Sequence, residues 1–207
     1  MRRANNIQIG CVLMAAGSGE RFKFADGTQS NKLFAEFSGK RLYEHALDAI
    51  PEAEFFRVVV ISGYENILNR AKALGFIPIV NDRPTEGVSR TIKLGLNALE
   101  SADAVLFMTA DQPLLRRETV AGEINFFRRN YRHDLIVALG FKGRRGNPVI
   151  FSKEYFAELR ALTGDVGGRR VIAAHENALM LFEVENTPEL EDVDRWEDLL
   201  QLGAVDK

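Results

Sequence analysis

Short uninterrupted apolar runs alternate along the chain with longer stretches in which apolar residues recur every three or four positions. Continuous runs of strand length read as strands buried on both faces, and the three-to-four spacing reads as amphipathic helix. The first run, Ile9 to Ala16, is interrupted only by Gly10 and predicts a buried strand. Leu33 to Phe37 alternates apolar with polar, and Ser38-Gly39-Lys40 predicts a turn. Leu42, His45, Ala46, Leu47 and Ile50 then predict a helix that ends before Pro51. Phe55 to Ser62 predicts a second strand, followed from Gly63 to about Leu74 by a helix with Gly75 as its C-terminal cap. Ile77 to Val80 is a short third strand, Gly87 to Leu99 a helix, and Ala104 to Met108 a fourth strand. A helix from about Arg117 to Asn130 leads to a strand over Leu135 to Leu139, a Gly/Arg loop over Gly140 to Gly146, and a strand over Pro148 to Phe151. The rest reads as a helix from Lys153 to Leu162, a glycine-rich turn, a helix near Val171, a strand from Leu179 to Val184, and a C-terminal helix from Val193 or Arg195.

Strands alternating with helices, each strand a near-continuous apolar run, predict an α/β fold: three layers, α/β/α, around a doubly wound, mostly parallel sheet. In such sheets ligands bind beyond the carboxyl ends of the strands. The Gly17 loop, Ser62-Gly63, the Ser89 region and Asp111 are all expected on that edge. A length of 207 residues suits one domain spanning 1–207, and no linker, repeat or low-complexity segment divides it. Hydrophobic content of 46% with 27% charged residues is that of an ordinary globule, and a net charge of −2 gives no reason to expect nucleic acid or a membrane surface as partner. The single cysteine, Cys11, lies inside the first strand; it excludes an internal disulfide and suits a reducing, cytoplasmic setting. Met1-Arg2-Arg3 before an apolar run resembles the start of a signal peptide, but the run is short and flows into a glycine loop.

That loop carries the first chemistry. Gly17-Ser18-Gly19 lets backbone approach a ligand closely, and Arg21 and Lys32 follow it. Converging N–H groups with two cations suit a phosphate chain. A dinucleotide fingerprint would need glycine where Phe22 stands, and Gly39-Lys40-Arg41 is not a P-loop ending. Asp111, at the end of the fourth strand and before Gln112-Pro113, is placed to hold Mg²⁺ opposite that loop; capping the next helix is its competing role. Near the C-terminus, Glu191, Asp192, Asp194, Glu197 and Asp198 exceed what one helix cap requires. Asp194, rather than Asp192, is the second candidate ligand. Two further runs, Gly143 to Val149 and Gly164 to Arg170, could grip an anion through arginine forks or serve as solvated turns. His45, His133 and His175 show no zinc-ligand spacing, and no serine-hydrolase elbow occurs.

The segment Leu13, Ala16, Gly17, Gly19, Arg21 and Lys32 resembles the phosphate loop of nucleotidyltransferases. From about Leu13 to Leu199 the chain resembles the MobA-like nucleotidyltransferases, and among them the molybdenum cofactor cytidylyltransferase branch. Carrying that likeness are Leu13 to Arg21, Gly87 to Gly95, Ala110-Asp111-Gln112-Pro113, Arg145 to Phe151, Gly164 to Arg169 and Asp192 to Leu199. Asn147 stands where the branch has histidine, Arg195-Trp196 where it has Thr-Pro, and the segment from Arg21 to Lys32 is longer than the branch has; the first two bear on the acceptor. The resemblance implies a Rossmann-like nucleotidyltransferase fold and transfer of CMP from CTP to a phosphorylated acceptor, molybdopterin, with Mg²⁺ and release of pyrophosphate. It implies Arg21, Lys32 and Asp111 as catalytic residues and Asp111 with Asp194 as metal ligands. The nucleotide would be held by Leu13, Ala15, Ala16, Gly17, Ser18, Gly19, Arg21, Lys32, Ser62, Ser89 and Thr91, with Ser89, Thr91 and the Ala15-Ala16 edge near the base. Ala16 favours cytosine, because the guanylyl branch has glycine there. Gln112, Asn147, Asp165 and Arg169 would bind the acceptor, and a molybdoenzyme would receive the product. Rival readings are a sugar, polyol or choline phosphate as acceptor, or a non-catalytic factor that carries molybdopterin to its enzyme.

Overall fold

A computed structural model describes residues 7–17, 22, 31–185 and 187–205. A seven-stranded sheet runs through it: β1 (Ile9–Ala15), β4 (Arg57–Ser62), β5 (Ile77–Val80), β6 (Ala104–Thr109), β7 (Ile136–Phe141), β8 (Arg144–Ser152) and β9 (Leu179–Glu183), in the spatial order β5-β4-β1-β6-β8-β7-β9. All neighbours pair parallel except β8, which runs antiparallel between β6 and β7. A separate small hairpin pairs β2 (Glu36–Phe37) with β3 (Lys40–Arg41). The helices are α1 (Leu42–Asp48), α2 (Glu65–Ala73), α3 (Val88–Ala98), α4 (Arg117–Arg129), α5 (Phe156–Ala161), α6 (Arg169–Ala174) and α7 (Trp196–Val205). This is the three-layer α/β/α architecture, with a mostly parallel sheet, expected from the pattern of apolar runs.

Why the strands read as continuous apolar runs is visible in the packing. Successive side chains of a strand point to opposite faces. Cys11, Leu13 and Ala15 of β1 enter one core with Val60, Leu106, Met108 and Val137, covered by Tyr43 and Leu47 of α1, Ile67 of α2, and Ile124 and Phe127 of α4. Val12 enters the other with Val59, Val105, Phe107 and Phe151, covered by Ile92 and Leu96 of α3, Leu159 of α5 and Val171 of α6. Both faces are covered, so neither face of the central strands can be polar. A third, smaller cluster joins Phe22, Phe37, Leu42, Val193, Leu199 and Leu202, docking α7 beside the β2–β3 hairpin.

One expectation is corrected. The stretch Gly140 to Gly146, expected as a loop, is the tip of the β7–β8 hairpin, with Gly140 paired to Arg145 and Phe141 to Arg144, and the Gly143 to Val149 run is strand from Arg144 onward. The turn is the pair Lys142 (φ 49°) and Gly143 (φ 77°), both left-handed, as a two-residue hairpin turn requires.

α4 carries an anomaly. Glu123 is fully buried, and neither carboxyl oxygen has a hydrogen-bond partner. Burial drives its carboxyl well above the ordinary range. An acid whose folded pKa exceeds its unfolded one holds a proton that unfolding releases, so stability falls as pH rises through that interval. Glu123→Met removes the penalty at similar volume. It is expected to stabilise the fold by about 1–3 kcal/mol at pH 8 and by less near pH 4.5, as read from urea unfolding at the two pH values. An equal gain at both pH values would contradict this account of Glu123.

Candidate active site

The parallel pairing of β1 with β6 sets the site. Met14 lies opposite Thr109, so the residues that leave these strands, Ala16-Gly17 and Ala110-Asp111, emerge side by side at the carboxyl edge. The chain leaves β1 for β4 on one side and reaches β6 on the other, a topological switch point of the kind at which α/β sheets bind ligands.

Lys32 and two aspartates meet there. The Lys32 Nζ donates to Asp111 Oδ2 at 2.6 Å and to Asp194 Oδ1 at 2.8 Å. Burial alone would lower the lysine pKa; the charge of Asp111, its hydrogen bond, and then Asp194 outweigh that and raise it. Each partner is placed by its own local device. Asn31 caps the short 3-10 turn Lys32–Phe34 by accepting from the Leu33 N–H at 2.8 Å, and its amide donates to the Gly17 carbonyl and the Tyr64 hydroxyl, both at 2.7 Å. The lysine is thereby fixed to the end of the glycine loop. Asp194 is held by the start of α7: Asp198 accepts the N–H groups of Asp194 (2.8 Å) and Arg195 (2.7 Å). Val193 N–H also donates to the Asp111 carbonyl at 2.9 Å. Asp198 thus does the capping, which leaves the Asp194 carboxylate to the site.

The fit to a divalent cation rests on Asp111. Its Oδ1 is buried without a hydrogen-bond partner, an acceptor turned away from solvent. Among the described residues no group of three His, Cys, Asp or Glu converges as a closed cage. Mg²⁺ does not need one, since it binds one or two carboxylates and takes its other ligands from phosphate and water. Asp192 adds to the negative field: although much of its surface is open to solvent, burial of its carboxyl and the nearby Asp111 charge push it up to about 7.

Two cavities adjoin this junction. The larger, about 680 Å³, is lined by Ala16, Gly17, Lys32, Thr91, Asp111 and Asp194 among others. The smaller, about 340 Å³, has an apolar floor that includes Phe107, Val149 and Phe151 and a rim with Arg144, Arg145, Asn147 and Arg169. Met14, Val88 and Thr109 line both and form the sill between them. The entry to α3 and the Gly164 turn are locked together at this sill. Ser89 N–H donates to the Gly164 carbonyl at 3.2 Å, and Val88 N–H to Asp165 Oδ1 at 3.4 Å. Gly87 has φ +85°, and a Cβ there would lie 2.3 Å from the Gly164 carbonyl carbon. Gly87→Ala is therefore expected to cost about 2–4 kcal/mol in thermal or urea unfolding. A change below about 0.5 kcal/mol would show that the contact is not constraining.

The residues singled out in the sequence divide accordingly. Ala16, Gly17, Lys32, Thr91, Asp111 and Asp194 line the larger cavity, and Asn147 and Arg169 the smaller. Asp165, expected at the acceptor, lies on the larger cavity instead. Leu13 and Ala15 belong to the core. Ser62 is fully buried, its hydroxyl donating to the Ala15 carbonyl at 2.8 Å, so it ties β4 to β1. Ser89 and Gln112 are buried and line neither cavity. Ser18, Gly19 and Arg21 lie outside the described residues. The sequence did not single out Asn31 or Thr109, whereas Arg145 belongs to the Gly143 to Val149 run read there as a candidate anion grip. An Asn just before a short helical turn is a capping signal, but Asn31 follows a long polar run in which several residues could have served.

Residues 11–178 match the MobA-like NTP transferase domain. The chain belongs to that family. Among curated relatives, the bifunctional protein GlmU of Clostridioides difficile is 23% identical over 142 residues, covering 69% of this chain. The match covers 29% of the relative, so the chain spans about a third of its length. Among solved structures, Rv0371C of Mycobacterium tuberculosis in complex with manganese superposes with TM-score 0.73 at 22% identity, covering 95% of this chain and 98% of the other. A CMP:2-keto-3-deoxy-manno-octonic acid synthetase complexed with CTP superposes with TM-score 0.69 at 13% identity, covering 96% and 98%. Among the described residues, no helix is long and apolar enough to cross a membrane.

Proposed function

We propose that this chain transfers CMP from CTP to a phosphorylated acceptor, molybdopterin, with release of pyrophosphate. The observation that carries the reading is the convergence of Lys32, Asp111 and Asp194 beside the Gly17 loop, in a cavity that shares its sill with a second, arginine-rimmed one. The triphosphate lies against the Gly17 loop and Lys32, with Arg21 as a second cation. Thr91, whose hydroxyl accepts from the Asn81 amide at 3.2 Å, lies toward the base. CTP is favoured by Ala16 and by the CTP-bound neighbour. Asp111 and Asp194 would hold Mg²⁺, which supplies neutralisation of phosphate charge when bound; the manganese-bound neighbour supports a divalent ion.

A phosphate oxygen of the acceptor, seated in the smaller cavity, attacks the α-phosphorus. The bond from that phosphorus to the α–β bridging oxygen breaks, and the electron pair leaves with pyrophosphate. Lys32 and the loop N–H groups bind and orient the phosphates and compensate charge that grows in the transition state. Asp111 draws Lys32 toward the reacting phosphates. The apolar floor of the smaller cavity excludes water that would otherwise compete as nucleophile.

The test is pyrophosphate release from CTP, GTP, ATP and UTP with Mg²⁺, with and without molybdopterin. Release from CTP that requires the pterin is the expected result. CTP binding without release under any pterin condition would move the reading to a sugar or polyol phosphate acceptor. Pterin binding with no nucleotide binding would leave only a carrier role.

A further inference from the structure

Asp198 anchors Asp194 from the α7 side, and a buried ion pair holds the chain that leads to it. Glu189 lies in the 3-10 turn Thr187–Leu190, and its side chain is only 4% exposed. Its Oε1 accepts from the Arg116 Nε at 3.0 Å and from Nη2 at 2.6 Å. Its Oε2 accepts from the Thr119 hydroxyl and from the Arg116 N–H at 3.4 Å. Arg116 and Thr119 open α4, and the residue at the N-cap, Arg116, makes no side-chain cap of its own. Glu189 supplies the missing acceptor and a negative charge at the positive end of the helix.

The two segments joined there lead to the two aspartates of the junction. Arg116 follows Asp111 by five positions, and Glu189 precedes Asp194 by five. The segments 111–116 and 189–194 therefore lie between two ionic closures, Arg116–Glu189 at one end and Asp111–Lys32–Asp194 at the other. Beside the second closure, the Val193 N–H donates to the Asp111 carbonyl at 2.9 Å. A backbone bond alone lets one segment pivot on the other; a buried pair at the far end removes that freedom. Glu191 also pairs with Arg144 at 3.5 Å, but both side chains are substantially exposed and solvent screens them. The buried, charge-assisted contact of Glu189 is the stronger tie.

We propose that Glu189 is a positioning residue for the second metal ligand: with Arg116 and Thr119 it fixes segment 189–194 against 111–116, and so sets where the Asp194 carboxylate stands relative to Asp111. The proposal rests on reading Asp111 and Asp194 as metal ligands. Glu189 lines neither cavity, so it acts through Asp194 rather than on a substrate. The placement matters because Mg²⁺ demands near-octahedral geometry. Losing a group that orients a metal ligand costs on the order of 10–100-fold in metal affinity.

The probe is Mn²⁺ alone, titrated into the full chain and read from the free-ion electron paramagnetic resonance signal, with thermal midpoints taken on the same samples. Asp194→Asn and Glu189→Ala are each expected to weaken Mn²⁺ by about tenfold or more. Glu189→Gln, which keeps an acceptor for Thr119 and loses the ion pair, is expected to fall between Glu189→Ala and the wild type. Arg116→Met opens the same closure from a side chain that is 56% exposed, and decides the matter if Glu189→Ala does not fold. It is expected to weaken Mn²⁺ as Glu189→Gln does. The double variant of Glu189→Ala with Asp194→Asn is expected to match Asp194→Asn alone within about twofold, because no carboxylate is left to position. A Glu189 that only caps α4 would lower the thermal midpoint in both backgrounds and leave Mn²⁺ affinity of the folded chain unchanged, which would overturn the proposal. So would a double variant whose loss is the product of the two single losses. If Asp194→Asn itself leaves Mn²⁺ affinity unchanged, the metal reading of Asp194 falls and its positioning residue with it. Loss of the positioning role alone looks different: Asp194→Asn then weakens Mn²⁺ while the Glu189 and Arg116 variants do not.

Discussion

Asp111→Asn is expected to lower the rate of pyrophosphate release by about 10²–10³-fold, the scale of losing one preorganised electrostatic group in an active site. The shape of the side chain is kept, so the loss reports charge. Asp111 holds two things at once: its Oδ2 accepts from Lys32, and its Oδ1 faces inward without a partner. Asparagine would offer a neutral oxygen or an amide donor at each position. An amide facing the lysine ammonium repels it, and an amide in place of the orphan oxygen cannot ligate a cation. The effect should fall on turnover more than on the fold, because Asp111 lies at a strand end rather than in either core. A thermal midpoint near that of the wild type together with near-normal turnover would remove Asp111 from the mechanism.

Lys32→Met is expected to give a loss of the same order in turnover, with a signature of its own in the metal-free protein. The Lys32 ammonium lies between two carboxylates, so it acts as the resident cation of the junction. Taking it away leaves Asp111, mostly buried, without that partner, and removes one contact of Asp194. Leaving a buried acceptor unpaired costs about 1–3 kcal/mol; the lower end is expected here, since the Asp194 side chain is 43% exposed and solvent screens it. The same change removes the cation that competes with a divalent ion at this junction. Mn²⁺ is therefore expected to bind Lys32→Met more tightly than the wild type and to raise its thermal midpoint by more. If Mn²⁺ binds the variant more weakly than the wild type, lysine and metal do not share this junction.

How much of this was legible in the sequence depended on how local the cause was. β1 and β6 could be read directly because burial on both faces makes every position apolar. The β7–β8 hairpin was misread for a physical reason. Gly140, Gly143 and Gly146 and the two arginines have the composition of a loop, yet only Gly143 is needed for the turn, and Arg144 and Arg145 are strand residues. The C-terminal acidic run was expected to divide between capping and a second task, and it is Asp198, rather than a residue before the helix, that provides the cap. What no local pattern carries is the contact between Lys32 and its partners, 79 residues away at Asp111 and 162 at Asp194. It arises because β1 pairs with β6 and because the third cluster docks α7 beside the β2–β3 hairpin. Phe22, which excluded a dinucleotide fingerprint, belongs to that cluster, edge-on to Trp196 of α7 at 6.2 Å between ring centres. The residue that spoils one motif helps to bring the second aspartate to the site.

The most direct test of the central claim is a crystal of the chain grown with CTP and Mn²⁺, with the metal located by its anomalous scattering. The expected result is manganese on the carboxylates of Asp111 and Asp194, the triphosphate against the Gly17 loop, and the Lys32 ammonium moved from the two aspartates to a phosphate oxygen. Manganese bound elsewhere, with Lys32 still bridging Asp111 and Asp194 beside a bound nucleotide, would contradict it.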